Sequence, residues 1–565
     1  MNETVLLGLM PYWNPLIPPM GIACLKSYLE ASGVHVKVID LNIEPQFQEI
    51  QDRYFKSLME YIPPEKQGNS LNIGMDVISG HLMAHQNHSD KNTYNQLIKQ
   101  IVYNTFFTQL TDGQVQYLSE FMETFYTQLN EYLSAILEKE KPSVLGLSVY
   151  NTTLPASLFA FKLAKQFNPT IRTVMGGGIF SGDMDIHSPN YKNFLGRTPY
   201  IDKIIVGEGE QLLLKYLRNE LPPEQRVYTL ENLENPVMDL SNALLPDFTG
   251  LHIPYYTMVP SYTSRSCPFN CSFCSEKVLW GKYRKKNAPQ IADELEELHR
   301  LHHAQLFLMT DSLLNPVVDE LSNEMIKRNL SLYWDGYLRV DEKACNPDIT
   351  FQWRRGGFYR ARLGLESGSP NVLEAMGKKI TPAQIKNAVS SLAHAGIKTT
   401  SYWVIGHPGE TEEDFQQTLD LIEEMKDDLY EADCNPFHYH LTGQVGSDQW
   451  ADEKRSRLLY PEEMNEMLML QTWVLDVPPS REEIYSRVNR FVKHCEKLGI
   501  PNPYTLQTIY QADERWKSLH VNAAPSLVEF LNVKNNAAAF IDENLKIKKI
   551  VAGTVEIKDE GDWAF

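Results

Sequence analysis

The sequence predicts an α/β protein with two successive parallel sheets and a mainly helical C-terminal region. Three observations carry this. Apolar runs of strand length alternate with helical stretches over residues 1–220, the pattern of β-α-β units with parallel strands. The same alternation starts afresh over residues 254–443. Beyond Ser447 the pattern becomes mainly helical.

In the first series "ETVLLGLMP" reads as a buried strand and "MGIACLKSYLEASG" as a helix closing on Gly33. Strand "HVKVIDLN" follows. After a long interruption come strand "SVLGLSVY", a helix from about Leu154 to Phe167, and strands "TVMGGG" and "KIIVGEGE". This order predicts a Rossmann-like, doubly wound sheet of the flavodoxin type. The interruption, about Ile43 to Lys141, is too long for a bare loop. Amphipathic stretches such as "GQVQYLSEFMETFYTQLNEYLSAILEKE" make it a helical insertion. Residues 221–253, with "LPPEQ" and no clear period, read as a linker.

In the second series "YYTMVPSYTSR", "AQLFLMTDS", "LSLYWDGYLRV", "YRARLGLES", "IKTTSYWVIG" and "EADCNPFHYHL" read as strands separated by helices. Six such units predict a partial (β/α)6 barrel whose functional loops follow the strand C-termini. Residues 444–565 are expected to cap the barrel mouth as the substrate-specificity element, ending in a β-like tail, "NAAAFIDENLKIKKIVAGTVEIKD".

The formal charge of −19 argues against charge-driven nucleic-acid binding. No apolar run reaches membrane-span length, and "MNETVLLGLMPYWNP" lacks a basic flank and cleavage site. The expectation is a cytoplasmic protein with no membrane partner. Seven cysteines are an odd number for a disulfide framework. Cys24, Cys345, Cys434 and Cys495 are scattered and read as small core residues.

Cys267, Cys271 and Cys274 stand apart, as C-x3-C-x2-C directly after the first barrel strand. Structural zinc takes four protein ligands and favours paired C-x2-C units, and no second pair exists here. A [4Fe-4S] cluster held by three thiolates leaves one iron free for another ligand. A chance cluster or a zinc site is the alternative.

Around these cysteines the chain resembles the radical S-adenosylmethionine (SAM) superfamily, in which the fourth iron chelates SAM. The resemblance covers about residues 254–443. It implies that Cys267, Cys271 and Cys274 hold the cluster and that Phe273 lies near the adenine. "LMTDS", with Asp311, resembles the acidic end of the second strand. "RLGLESGSPNVLEAMGKKIT" resembles the fourth-strand motif, where Glu366 and Ser367 would face SAM. "VIGHPGETEEDF" resembles the fifth-strand motif with Gly406, Pro408, Gly409 and Glu410, although His407 stands where an apolar residue is commoner. The chemistry implied is reductive cleavage of SAM to a 5′-deoxyadenosyl radical, with an electron donor such as flavodoxin or ferredoxin.

The front domain resembles the cobalamin-binding domain that precedes many such barrels, through "LIPPMGIACLKSYLEASGVHVKVIDLN", "VMGGGIF" and "IIVGEGE". Strand-end residues are then the expected contacts: Asn151, Thr152 and Thr153, then Gly176, Gly177 and Gly178, then Gly207 and Glu208. Ordinary sheet-to-helix turns are the alternative. The D-x-H-x-x-G motif that supplies a histidine below cobalt is missing after the first strand. "DIHSPN" follows the fourth strand, ends in Asn190, and is read as coincidence. The resemblance implies a cobalamin-dependent enzyme methylating a carbon of a natural-product or peptide substrate. Rearrangement, cyclisation or oxidation without methyl transfer is the alternative, and a non-catalytic cobalamin- or peptide-binding protein is the alternative of another class. Finally, His438 and His440, two apart on the expected sixth strand, would share its inward face. His440 is then a candidate catalytic residue, because histidine titrates near neutral pH.

Overall fold

A computed structural model describes residues 4–14, 16–450, 455–502 and 506–531. The first sheet contains β1 (Val5–Leu9), β2 (Val36–Asp40), β3 (Val144–Ser148), β4 (Arg172–Gly176), β5 (Lys203–Ile205) and β6 (Val227–Tyr228). All pairings are parallel, in the order β2-β1-β3-β4-β5-β6. The order reverses between β1 and β3, the switch point at whose strand C-termini ligands of such sheets bind. The last strand comes from the stretch expected to be linker. It pairs in parallel with β5, where Ile204 N donates to Arg226 O and Val206 N to Tyr228 O.

The insertion is helical, with long helices at Pro45–Tyr61, Ser70–Asn87, Lys91–Phe106 and Asp112–Glu140. The last starts at a capping box in which Thr111 and Gln114 satisfy each other's backbone N–H. It buries Leu118, Met122, Phe125, Leu129 and Leu133, spaced so that they fall on one face. That face packs into one core with Leu145 and Leu147 of β3, so the insertion covers one side of the front sheet.

The second sheet contains β7 (Val259–Ser261), β10 (Leu306–Met309), β11 (Tyr333–Leu338), β12 (Phe358–Glu366), β13 (Lys398–Ile405) and β14 (Glu431–Pro436). They lie side by side in sequence order, all parallel, as a six-stranded partial barrel. β8 (Ser264–Arg265) and β9 (Arg284–Lys285) form a small antiparallel ribbon beside it. Two strand expectations need correction. Residues 255–265 are not one strand: both carboxylate oxygens of Asp311 accept from Thr263 N, which takes the chain out of the barrel ladder. Ser264–Arg265 then pair with β9 instead. The sixth strand ends at Pro436, with Phe437 N donating a last bond to Ile405 O at 2.8 Å, so His438 and His440 lie in the loop beyond it.

Two described helices of the C-terminal region pack on the barrel at different places. Helix Arg481–Lys497 places Val488, Phe491, Val492 and Cys495 in the barrel core, against edge strand β14. The helix at Leu506–Leu519 closes the opposite end, where Asp513 Oδ1 accepts from Lys398 Nζ at 2.5 Å and Tyr430 OH at 2.8 Å, at the starts of β13 and β14. Before both helices in the chain, β15 (Ser456–Leu458) and β16 (Trp473–Leu475) pair antiparallel. The expected β-like tail lies outside the described residues. Among the described residues no helix is long and apolar enough to cross a membrane.

Candidate functional site

The three cysteines lie in the connection from β8 to β9, between two braces. On one side Ser272 N donates to Met376 O at 3.0 Å. On the other, the segment after β14 supplies Gly446 N to Ser272 O (2.7 Å), Val445 N to Cys274 O (3.0 Å) and Gln444 Nε2 to Phe273 O (3.0 Å). Gln444 also donates to His438 O at 2.8 Å, so this segment is a folded clamp. Cys271 is buried, and Cys267 and Cys274 are partly exposed. Burial pushes the Cys267 thiol up and that of Cys274 up to about 11, a cost that coordination reverses because a bound metal deprotonates its thiols. Arg339 Nη1 points at Cys271 Sγ from 3.3 Å. Among the described residues no three His, Cys, Asp or Glu side chains converge as ligands of a single ion. Three thiolates that each take a different iron stand farther apart than the donors of one zinc. The donor set, sulfur only and three in number, therefore fits a [4Fe-4S] cluster better than tetrahedral zinc.

The residues expected around SAM divide into two groups. Glu366 and Phe273 come together: Lys378 Nζ lies 2.6 Å from Glu366 Oε1 and 5.9 Å from the Phe273 ring centroid. Glu366 has φ +67°, a left-handed conformation that costs a non-glycine residue free energy. Asp311, Ser367 and Gly406 are engaged inside the protein. The Asp311 carboxylate accepts from Thr263 N, Thr263 Oγ1 and Ser264 Oγ, anchoring the segment that leads to Cys267. Ser367 Oγ, fully buried, meets Ser369 N and Thr418 Oγ1. Gly406 N donates to Glu410 Oε2 at 2.9 Å, and a Cβ on Gly406 would lie 2.3 Å from Ile484 Cγ1. Helix Arg481–Lys497 can approach only because no side chain is there. Arg487 of that helix pairs with Glu410 at 2.9 Å.

A cavity of about 320 Å³ opens between the two sheets. Gly176, Gly177, Gly178, Gly207 and Glu208 wall it from the front sheet, and Arg265, Ser266, Thr310 and Ser312 from the barrel. Of the expected front-domain contacts, Asn151, Thr152 and Thr153 are not in its wall. Thr152 Oγ1 donates to Tyr12 O, and Thr153 Oγ1 accepts from Tyr150 N within its own turn. Tyr150 takes their place, with its ring stacked on Trp13 at 3.7 Å. Cys24, expected in the core, also lines the cavity, and burial pushes its thiol up to about 12. Glu208 does more than line the wall. Its carboxylate pairs with Arg284 and, at 3.2 Å, with Arg265, while Arg265 reaches Glu210 at 2.7 Å. This buried clasp ties the β5 loop to residues just before Cys267. The glycine cradle and its polar rim fit part of a corrinoid, the cavity being smaller than the whole group.

His440 does not face the barrel interior. Its ring packs on Gly182, where a Cβ would lie 2.9 Å from His440 Cε1, and its Nδ1 lies 3.1 Å from Asp183 Oδ1 without hydrogen-bond alignment. Sequence reasoning missed Arg265, Arg339, Trp13 and the Gln444 clamp. Only Arg265 had a local signal, its place two residues before Cys267.

The family model of the radical SAM superfamily matches residues 261–422. The anaerobic magnesium-protoporphyrin IX monomethyl ester cyclase of Rubrivivax gelatinosus is 28% identical over 319 residues, covering 51% of this chain and 55% of that protein. The cytidylyl-2-hydroxyethylphosphonate methyltransferase of Streptomyces wedmorensis is 21% identical over 438 residues, covering 66% of this chain and 76% of that protein. The chain thus spans about half the length of the cyclase it matches. Among solved structures, the radical SAM methyltransferase TsrM of Kitasatospora setae, with cobalamin and a [4Fe-4S] cluster bound, superposes with a TM-score of 0.57. At 15% identity, over 95% of this chain and 100% of TsrM, this is a likeness of fold.

Proposed function

Because residues 261–422 form a radical SAM domain, we propose that this protein is a cobalamin-dependent radical SAM enzyme that methylates a carbon of a small-molecule or peptide substrate. When bound, the cluster and SAM supply one-electron radical initiation, and a corrinoid supplies a transferable methyl group. Cys267, Cys271 and Cys274 would hold the cluster, with the Gln444 clamp fixing their loop. Phe273, Glu366 and Lys378 would border the SAM site, and Asp311 and Ser367 would support it from behind. Gly176, Gly177, Gly178, Gly207 and Glu208 would wall the corrinoid. His440 would keep the clamp segment against the front domain through Asp183 and Gly182. A one-electron donor such as flavodoxin or ferredoxin is the partner this chemistry needs.

The observation that carries the reading is the shared wall of the cavity. Ser264, Arg265 and Ser266 line it and lead directly into Cys267, so a group cradled by the front-sheet glycines abuts the cysteine loop. Such a wall would bring a methyl donor and a radical initiator to one space, the arrangement that carbon methylation requires. The likeness to the Rubrivivax cyclase favours a second reading, ring formation without methyl transfer. Anaerobic reconstitution followed by iron and cobalt analysis, and turnover with methyl-labelled SAM, tests both. Label in the product supports methylation, and an unlabelled, oxidised product supports cyclisation. A protein that binds neither metal overturns both readings.

A further inference from the structure

Arg339 is the first residue beyond β11, and it keeps the inward parity of Asp335 and Tyr337. Its backbone is held by one side chain in both directions: Arg339 N donates to Asn315 Oδ1 and Asn315 Nδ2 donates to Arg339 O, each at 2.8 Å. The guanidinium stacks over Phe269 of the cysteine loop, 4.2 Å from the ring centroid. Nη1 then reaches Cys271 Sγ at 3.3 Å, a hydrogen-bond distance to sulfur. Arg339 is only 7% exposed, and among the described residues it forms no ion pair with a carboxylate. Every other arginine at least as buried as this one has such a partner: Arg487 pairs with Glu410. A buried guanidinium is always charged, and leaving it without an anion is costly. The sulfur of Cys271 is the anion-forming group that the fold places before it.

We propose that Arg339 is the counter-cation of the iron–sulfur site and sets its reduction potential through a charge-assisted N–H···S bond to Cys271. The proposal rests on the assignment of the cluster to Cys267, Cys271 and Cys274. The reduced cluster carries one more negative charge than the oxidised one. A fixed positive charge and a donor at one ligand sulfur therefore stabilise the reduced form more, and raise the potential. Cys271 becomes the ligand most affected. Asn315 and Phe269 act as positioning residues, holding the guanidinium so that it need not reorganise during electron transfer.

The test is a redox titration of the anaerobically reconstituted, full-length protein, followed by electron paramagnetic resonance, with iron content measured on the same samples. Arg339→Met and Arg339→Gln should each keep iron yet lower the reduced-to-oxidised ratio at fixed potential about tenfold, which is about 59 mV for one electron. Arg339→Lys, which keeps the charge, should retain most of the wild-type ratio. Should Arg339→Met lose iron, Arg339→Gln carries the test, and should both lose it, Arg339→Lys must then hold iron at the wild-type level. Unchanged potentials in the iron-loaded neutral variants overturn the proposal. Unchanged potentials with weakened SAM binding would do so too, and would make Arg339 a contact of the SAM carboxylate. A wild-type protein without iron overturns the cluster assignment itself, which is a distinguishable failure.

Discussion

Adjacent glycines on the cavity wall allow conformation to be separated from volume. Gly177 has φ +110°, outside even the left-handed helical well, and such backbone positions cost a residue with a side chain about 1–3 kcal/mol. A Cβ there would lie 2.4 Å from Val149 N and 2.5 Å from Val149 O. These are backbone atoms and cannot rotate away, so the loop after β4 must move, at about 1–3 kcal/mol for overpacking. Gly176 is the control. Its nearest neighbour to an added Cβ is Ile205 O at 3.6 Å, ordinary contact, and its φ is not positive. Gly177→Ala should therefore destabilise the front sheet by roughly 3 kcal/mol, and Gly176→Ala by less than about 1 kcal/mol. Urea unfolding followed by tryptophan fluorescence reads the difference, and cobalt per protein after cobalamin loading reads its consequence. Both glycines line the cavity, so simple filling of space predicts equal effects. Two variants within about 0.5 kcal/mol of each other, inside ordinary surface-substitution scatter, would refute the conformational argument.

Replacing Cys267, Cys271 or Cys274 by Ala should abolish bound iron and SAM cleavage, whereas Cys495→Ala, in the barrel core, should leave iron per protein unchanged; colorimetric iron analysis decides. Glu208→Gln leaves Arg284 and Arg265 without their shared carboxylate in a site only 7% exposed. Because Arg265 keeps Glu210, the loss should sit near the low end of the range for breaking a buried pair, about 3 kcal/mol. Its signature is cobalt loss with iron retained and faster proteolysis between the two sheets. His81 is fully buried between Tyr54 OH (2.9 Å) and Tyr94 OH (2.8 Å), and burial pushes its pKa from 6.5 down to about 3. Between those values the unfolded chain binds a proton that the folded chain refuses, so this contribution to stability is complete above pH 6.5 and falls as pH drops, by about 1.4 kcal/mol per pH unit. Because buried His407 and His438 add the same sign of dependence in both proteins, stability measured across pH 4–7 should fall more steeply with decreasing pH in wild type than in His81→Gln, by about 1.4 kcal/mol per pH unit.

The two parallel sheets, the helical insertion and the cysteine loop were all legible in the sequence, because each is written in local order. Apolar runs at strand length identify β1, β3, β10 and β13, amphipathic period identifies the helix Asp112–Glu140, and C-x3-C-x2-C is a contiguous donor set. What the sequence could not decide are contacts between distant segments. Asp311 reads as a site acid, but the fold brings Thr263 to it and spends its carboxylate on the chain. Gly406 reads as a ligand-binding glycine, yet its missing side chain makes room for Ile484. His438 and His440 alternate as on a strand, but the strand ends at Pro436 and its last bond to β13 comes from Phe437 N, and period alone does not say where pairing ends. The C-terminal helices have apolar faces that fit any apolar surface. Only tertiary packing sends one to the edge of β14 and the other to the barrel's far end. Arg339 and Cys271 are 68 residues apart. No pattern along the chain joins them; the closure of β11 beside the cysteine loop does, because a buried positive charge must find its anion wherever the fold has put one.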